Sequence, residues 1–211
     1  VPLSGQRLRN TAGEEFDAHL TIGLVRKKFT SSLYLSDVYT RSGFFANAHG
    51  IMPLTTDSSY DVSNRDIQLP WQWVNHLKVI SRSVLFHGHW KTESELGFQN
   101  NVRQELSRYI GHGYMPAVLP DSSGFSPTLA REFRKNILSL NLRTSRTMLT
   151  DHSFTGGVNI EYQHNRIGGW SFIIPSFDQL TTGIFLIDKF RVNDNLLMQG
   201  GIRFDAGFVA I

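Results

Sequence analysis

The chain contains 211 residues, of which 40% are hydrophobic, 12% aromatic and 18% charged, and its formal net charge is +3. The charged share is lower than the roughly 25% of an average soluble domain, and the hydrophobic share is too high for a disordered polyelectrolyte. The small net charge and the lack of a dense Lys/Arg run argue against a nucleic-acid partner, and the absence of cysteine excludes disulfides and Cys-based zinc or redox sites.

Eight segments in which apolar and polar side chains alternate predict eight β-strands. In chain order they are 17–26, 29–39, 74–87, 91–106, 136–146, 154–165, 180–190 and 196–205. Helical periodicity is weak throughout, and the best candidate for a helix is SPTLAREF at 126–133, where Ser126 could be the cap and Pro127 could occupy the first position. Apolar runs such as 183–187 are far shorter than the roughly 20 residues of a membrane helix, whereas a transmembrane β-strand needs only about 10 alternating residues.

The sixth predicted strand, FTGGVNIEYQHN, shows the alternation most clearly. Val158, Ile160 and Tyr162 fall on one side of the strand, and Asn159 and Glu161 fall on the other. A soluble sandwich turns the apolar side inward, whereas a membrane barrel turns it outward to lipid. The alternation alone leaves both orientations open.

The connections between the predicted strands alternate strictly between short and long. The short ones lie at 27–28, 87–90, 147–152 and 193–195, and the long ones lie at about 42–72, 110–132 and 166–178. In an up-and-down barrel every second connection emerges at the same end, as in outer-membrane barrels with short periplasmic turns and long extracellular loops. Soluble calyx barrels can show the same alternation. We therefore predict an all-β fold, an antiparallel up-and-down transmembrane β-barrel with about eight strands.

Several stretches resemble the barrel region of TonB-dependent outer-membrane receptors, in particular the Bacteroidetes-type receptors for iron complexes. They are SGFFANAHGI (42–51), DIQLPWQWVNHLKVI (66–80), LGFQNNVRQELS (96–107), GWSFIIPSFDQLTTGIFLIDKF (169–190) and LLMQGGIRFD (196–205). The family fold is a 22-strand barrel with an N-terminal plug domain. The resemblance implies that residues 1–211 are one segment of such a barrel, without the plug and the remaining strands.

The resemblance implies a function in the bacterial outer membrane. The intact protein would take up a ferric siderophore or a haem-like ligand, contact outer-membrane lipid, and receive energy from the TonB complex through the plug. Two alternatives stay open. One is a complete small eight-stranded membrane barrel that acts as an adhesin or structural protein, and the other is a soluble β-sandwich or calyx that binds a carbohydrate or a lipid.

The candidate ligand-binding residues are those that the predicted loops present. They are His49, His112, Tyr114 and Trp170. Ordinary loop hydrogen bonding is the alternative for the two histidines, and for Trp170 and Tyr114 the alternative is an aromatic girdle at the membrane surface. Trp71, Trp73, Trp90 and Tyr109 also lie at predicted strand ends.

The polar sides of three predicted strands are expected to face the lumen. The residues expected there are Gln99, Asn101, Arg103, Asn159, Glu161, Gln163 and Arg203. Arg103 and Arg203 can attract an anionic chelate or pair with nearby carboxylates such as Glu105 and Asp205.

Nothing in the sequence predicts catalysis, a cofactor or a metal site. No phosphate-binding glycine loop and no GxSxG motif occurs, and no cysteine nucleophile is available. His87 and His89 flank a short turn without a third ligand nearby, and Glu93 and Glu95 belong to a longer polar run. We therefore predict that the protein is not an enzyme.

Overall fold

The structure, a computed structural model, describes residues 7–8, 10–44, 60–61, 67–109, 126–148, 151–171 and 174–211. Two strands are only two residues long, β1 (Arg7–Leu8) and β4 (Tyr60–Asp61), and they pair with each other. The other eight are β2 (Gly13–Arg26), β3 (Phe29–Gly43), β5 (Trp71–His87), β6 (Trp90–Leu106), β7 (Leu129–Met148), β8 (His152–Gly168), β9 (Phe177–Asn193) and β10 (Leu196–Ala210).

The eight long strands form one antiparallel sheet in the order β10-β9-β8-β7-β6-β5-β3-β2. Long strands that are consecutive in the chain pair with each other throughout, so the topology is up-and-down, with β2 and β10 at the two ends of the sheet. The eight predicted strands are therefore confirmed. Each observed strand contains its predicted range and extends beyond it by one to seven residues at one or both ends. The described residues contain no helix.

The candidate helix at 126–133 does not form. Ser126 precedes a turn at 127–128, which contains Pro127, and the chain then enters β7 at Leu129. The backbone N–H of Leu129 donates to the carbonyl of Ser126, and Leu129 is already in register with Leu106 of β6. Pairing with a neighbouring strand satisfies the backbone of this segment along its whole length, which outweighs the weak local preference for a helix.

The observed connections follow the predicted alternation of short and long. Tight turns at 27–28, 88–89 and 194–195 and the connection 149–151 lie at one end of the sheet, which we call the short-turn end. The connections 44–70, 107–128 and 169–176 lie at the other end, the long-connection end. Gly88 has a φ of 57°, a left-handed conformation that glycine adopts without steric cost, so it suits the turn between β5 and β6.

The register sorts the side chains onto two faces of different chemistry. One row of directly opposed residues crosses all eight strands and is apolar apart from a tyrosine hydroxyl: Leu20, Leu35, Val79, Phe98, Leu138, Tyr162, Leu180 and Phe208. The adjacent row lies one residue nearer the long-connection end on every strand, on the opposite face of the sheet, and is mostly polar. Its residues are His19, Ser36, Lys78, Gln99, Ile137, Gln163, Gln179 and Val209. We call these the apolar face and the polar face.

Neither face is covered by a second layer within the described part of the chain. Ala130, at 6% exposure, is the one buried hydrophobic residue among the described residues, whereas Ile184, Ile202 and Phe204 of the apolar face are 57%, 74% and 67% exposed. Within the same part of the chain, β2 pairs with β3 alone and β10 with β9 alone, so two edges are left unpaired. The hydrophobic effect therefore does not hold this sheet together through a core of its own.

Candidate functional site: two faces of one sheet

The seven residues predicted to face a lumen lie together on the polar face. The register links Gln99 of β6 to Gln163 of β8 through Ile137, and it links Asn159 of β8 to Asp205 of β10 through Gly183. Asn101 and Arg103 follow Gln99 on the same side of β6, as Glu161 follows Asn159 on β8 and Arg203 precedes Asp205 on β10.

Arg203 is the centre of a hydrogen-bond network that spans three strands. Its Nε and Nη2 donate to the carboxylate of Asp205 at 2.8 and 2.6 Å, and its Nη1 donates to Oδ1 of Asn159 at 2.9 Å. Asn159 in turn donates from Nδ2 to Oδ1 of Asn141 at 2.6 Å. The guanidinium of β10 thus reaches β8 across the intervening strand β9.

The absence of a side chain on Gly183 makes this reach possible. Gly183 lies on β9 between Asn159 and Asp205, and a Cβ added there would lie 2.7 Å from Nη2 of Arg203 and against the carboxylate of Asp205. The glycine therefore leaves the slot through which Arg203 passes.

An open concavity of about 600 Å³ lies beside this network on the polar face. Its polar lining residues include Asn141, Asn159, Glu161, Thr181, Arg203 and Asp205. Glu161 accepts a hydrogen bond from Nε2 of Gln163 at 2.5 Å and forms no ion pair with any described residue. The concavity thus offers both donors and acceptors, which suits water and hydroxyl- or amide-bearing solutes.

Ion pairs cover the polar face between β5 and β7. Arg143 contacts Glu93, and Arg82 contacts Glu95 with 3.0 Å between Nη2 and Oε2. Because each of these glutamates has its own cation, the two do not form a paired-carboxylate site of the kind that glycoside hydrolases use. Their arrangement is that of a hydrated, ion-paired wall.

Arg103 belongs to a second ion-paired group nearer the long connections. Its Nη2 contacts Oε1 of Glu105 at 2.5 Å, and the other oxygen of Glu105 accepts from Nη1 of Arg131 at 2.9 Å. The pairing of Arg103 with Glu105 and of Arg203 with Asp205, which the sequence left as one of two alternatives, is therefore present. Oε1 of Gln99 lies 3.3 Å from Nε2 of His76.

The apolar face changes to aromatic and ionisable residues towards both ends of the strands. At the short-turn end one row across β5–β9 contains His87, Trp90, Arg146, Phe154 and Asp188. At the long-connection end another row across β6–β9 contains Asn100, Asn136, His164 and Asp178.

The apolar stretch between these rows has a defined length. On β8 it runs from Phe154 to Tyr162, eight residues apart, which is about 26 Å along an extended strand. The hydroxyl of Tyr162 donates to Asp178 at 2.7 Å, so the ring lies on the apolar face while its polar tip lies in the ionisable row. Aromatic residues with one apolar side and one polar tip are typical of the boundary between hydrocarbon and water.

Of the four predicted ligand-binding residues, Trp170 lies within the described part of the chain, and His49, His112 and Tyr114 lie outside it. The Trp170 ring packs edge-on against Tyr109 with 5.2 Å between ring centroids, and its backbone N–H donates to the carbonyl of Leu129 at 3.2 Å. The two aromatics join the connections that follow β6 and β8. The structure brings Trp170 to none of the polar-face residues named above.

Sequence reasoning missed Gly183 and Asn141 as parts of the Arg203 network. The signal for Asn141 was present, since it lies on the polar side of its strand opposite Leu140 and Leu142. Gly183 had no such signal, because a glycine within GIFLI reads as a gap in the apolar pattern until the register places it between Asn159 and Asp205.

Comparison with known proteins leaves the function to be argued from these two faces. No protein-family model matches the sequence, and no curated protein matches it either. Among the residues that the structure describes, no helix is long and apolar enough to cross a membrane. The same residues contain no group of three or more His, Cys, Asp or Glu side chains that would hold a metal ion.

Proposed function

We propose that this sheet is part of the wall of a transmembrane β-barrel in a bacterial outer membrane, with its apolar face against lipid and its polar face lining the lumen. The barrel belongs, in this proposal, to a TonB-dependent receptor that takes up a ferric siderophore or a haem-like ligand. The protein acts as a transporter, with no catalytic residue of its own.

The single observation that carries the membrane assignment is the uncovered apolar face. Burying apolar surface is worth roughly 25 cal/mol per Å², so a soluble protein does not leave a continuous apolar row across eight strands in water. Lipid hydrocarbon is the environment that makes this face favourable without a second protein layer. Trp90 and Phe154 near one end of this face and Tyr162 near the other support the same placement, because girdles of aromatic residues mark the two interfaces of outer-membrane barrels.

The two ends of the sheet support an orientation. The short turns are typical of the periplasmic side of such barrels and the long connections are typical of the outer side. His49, His112, Tyr114 and Trp170 all belong to long connections, where a ligand would arrive first.

The polar face supports a role in conducting a polar solute. Its ion pairs and its open concavity keep donors and acceptors in contact with water, as expected of a lumen. The choice of ligand and the dependence on the TonB complex are supported by the resemblance of the five stretches quoted above to receptors of that class. In such receptors the plug domain couples the barrel to energy from the inner membrane.

Transport is tested in the organism that encodes the protein. Deleting the gene is expected to abolish uptake of one radiolabelled ferric siderophore or haem, measured in whole cells under iron limitation, while uptake of unrelated solutes is unchanged. Alanine variants at His49, His112, Tyr114 and Trp170 are then expected to weaken binding of that ligand. Normal uptake of every iron complex tested, with the protein in the outer membrane, would favour the adhesin or structural barrel. Recovery of the protein in the soluble fraction would favour the calyx.

A further inference from the structure

The arginines at the long-connection end have carboxylate partners. Arg41, Arg134 and Arg166 contact Glu14, Glu132 and Asp178 respectively, and Arg103 and Arg131 share Glu105. Of the described cations near this end, Arg108 and Lys135 are the exceptions. Positive charge on this side of the sheet is therefore largely neutralised within the protein.

The short-turn end is different, since most of its cations have no carboxylate partner in the described part of the chain. Those on the apolar face or in the turns, which we call the basic rim, are Arg26, Lys27, Lys28 and Arg146. Lys189 and Arg191, which also lack a carboxylate partner among the described residues, follow the polar side of β9. Neither Asp188 nor Asp194, which lie at the same end, forms an ion pair with a residue of the basic rim among the described residues. The rim thus presents an excess of positive charge.

Arg146 connects the basic rim to the apolar face. Its guanidinium carbon lies 5.0 Å from the centroid of the Trp90 ring, and its register partner on the other side is Phe154. This cation–π contact places the guanidinium over the indole ring, and no carboxylate among the described residues pairs with it. Its Nε is buried without a hydrogen bond.

A second group of rim cations lies on the β2–β3 hairpin, which β5 and β6 separate from β7. Arg26 is on the apolar face of β2, and Lys27 and Lys28 form the turn to β3. This hairpin is hydrogen-bonded to β5, because the N–H of Phe86 donates to the carbonyl of Lys28 at 2.8 Å. Arg146 and the cations of the β2–β3 hairpin therefore border the same end of the apolar face at different strands.

We propose that the basic rim binds the phosphate groups of anionic phospholipids, whose acyl chains lie on the adjoining apolar face. This inference rests on the proposed function, because it requires the apolar face to contact lipid. A phospholipid provides the two features that the rim lacks, namely negative charge beside Arg146 and hydrocarbon against Phe154 and its neighbours. With the short turns on the periplasmic side, the lipids concerned are those of the inner leaflet.

Trp90 provides a local probe of this site. The other tryptophans, Trp71, Trp73 and Trp170, lie at the long-connection end. The full protein is reconstituted in phosphatidylcholine vesicles that contain either brominated phosphatidylglycerol or brominated phosphatidylcholine, and the quenching of tryptophan fluorescence is measured. Subtracting the signal of a Trp90→Phe variant isolates the contribution of Trp90, and each charge variant is compared with its own Trp90→Phe counterpart.

We expect Trp90 to be quenched preferentially by the anionic lipid, and Arg146→Gln to lower that preference by about fivefold, the factor that corresponds to roughly 1 kcal/mol per basic residue at an anionic surface. Arg146→Lys keeps the charge and is expected to keep most of the preference. Arg134→Gln is the matched control, because Arg134 is on the same face of the same strand but pairs with Glu132 at 2.7 Å. High salt is expected to reduce the preference of the wild-type protein by screening.

Equal quenching of Trp90 by the two lipids in the wild-type protein would overturn the inference while leaving the proposed function intact, and it is the result expected if the rim serves an acidic protein segment instead. A preference that Arg146→Gln leaves unchanged, or that Arg134→Gln lowers equally, would also overturn it. If neither brominated lipid quenches Trp90, the apolar face does not contact lipid, and the proposed function fails together with this inference.

Discussion

Replacing Ile184 by arginine is expected to destabilise the membrane-inserted protein by about 2–4 kcal/mol, the cost of a basic side chain facing lipid near the middle of a bilayer. Ile184 lies at the centre of β9 on the apolar face and is 57% exposed within the chain. Its neighbours in register are Val158 and Phe204, which offer an arginine no polar partner. The measurement is equilibrium unfolding from lipid vesicles in guanidinium chloride, followed by tryptophan fluorescence.

Thr181→Arg is the matched control for this substitution. Thr181 lies on the same strand but on the polar face, opposite Glu161, where an added cation meets water and a carboxylate without a cation partner. We expect its effect on the free energy of unfolding to stay within about 0.5 kcal/mol. If the two arginines cost the same, the faces do not differ in environment, and the assignment of lipid to the apolar face is wrong.

Replacing Gly169 by alanine is expected to cost about 2–3 kcal/mol of stability. Gly169 follows β8 with a φ of 90°, a conformation that side chains rarely adopt. A Cβ there would lie 2.5 Å from the carbonyl oxygen of Ala130 and 2.9 Å from the Cα of Arg131, both backbone atoms that cannot rotate away. The substitution is also expected to separate Trp170 from Tyr109, because the hydrogen bond from the Trp170 N–H to Leu129 depends on this close approach.

The adjacent Gly168 provides the control. A Cβ at that position would meet Glu132 at 3.5 Å, an ordinary contact, so Gly168→Ala is expected to change stability by less than about 0.5 kcal/mol. The measurement is the denaturant midpoint of each variant, compared with that of the wild-type protein. Equal midpoints for Gly168→Ala and Gly169→Ala would show that the turn after β8 relaxes without cost.

The strands were predictable because apolar and polar residues alternate in the sequence with the side-chain period of a β-strand, which is two. Leu138, Leu140 and Leu142 alternate with polar residues, and the structure places them in the strand β7. The strand ends were predicted less well. Residues such as Glu132 and Arg134 carry charge on the same face that is apolar further along, so the alternation fades where β7 still pairs with β6. The candidate helix at 126–133 failed for a related reason, since pairing with β6 decides the structure of those residues from Leu129 onwards.

The composition of the polar face was also predictable, whereas its contacts were not. Asn159, Glu161 and Gln163 share a face because they are two residues apart on one strand. That Arg203 reaches Asn159 over Gly183 depends on the register of three strands, which no single segment encodes. The surroundings of Arg146 at the short-turn end likewise depend on the register, which places Trp90 and Phe154 opposite it, whereas Arg134 pairs with Glu132 of its own strand.

The most direct test of the central claim is the accessibility of spin labels along β7 and β8. Labels at Leu140, Leu142, Val158 and Ile160 probe the apolar face, and labels at Asn141 and Asn159 probe the polar face. In reconstituted vesicles, we expect the first set to collide with oxygen dissolved in lipid and the second set with a water-soluble nickel chelate, alternating residue by residue. Apolar-face labels shielded from both reagents, as in the core of a sandwich, would contradict the account.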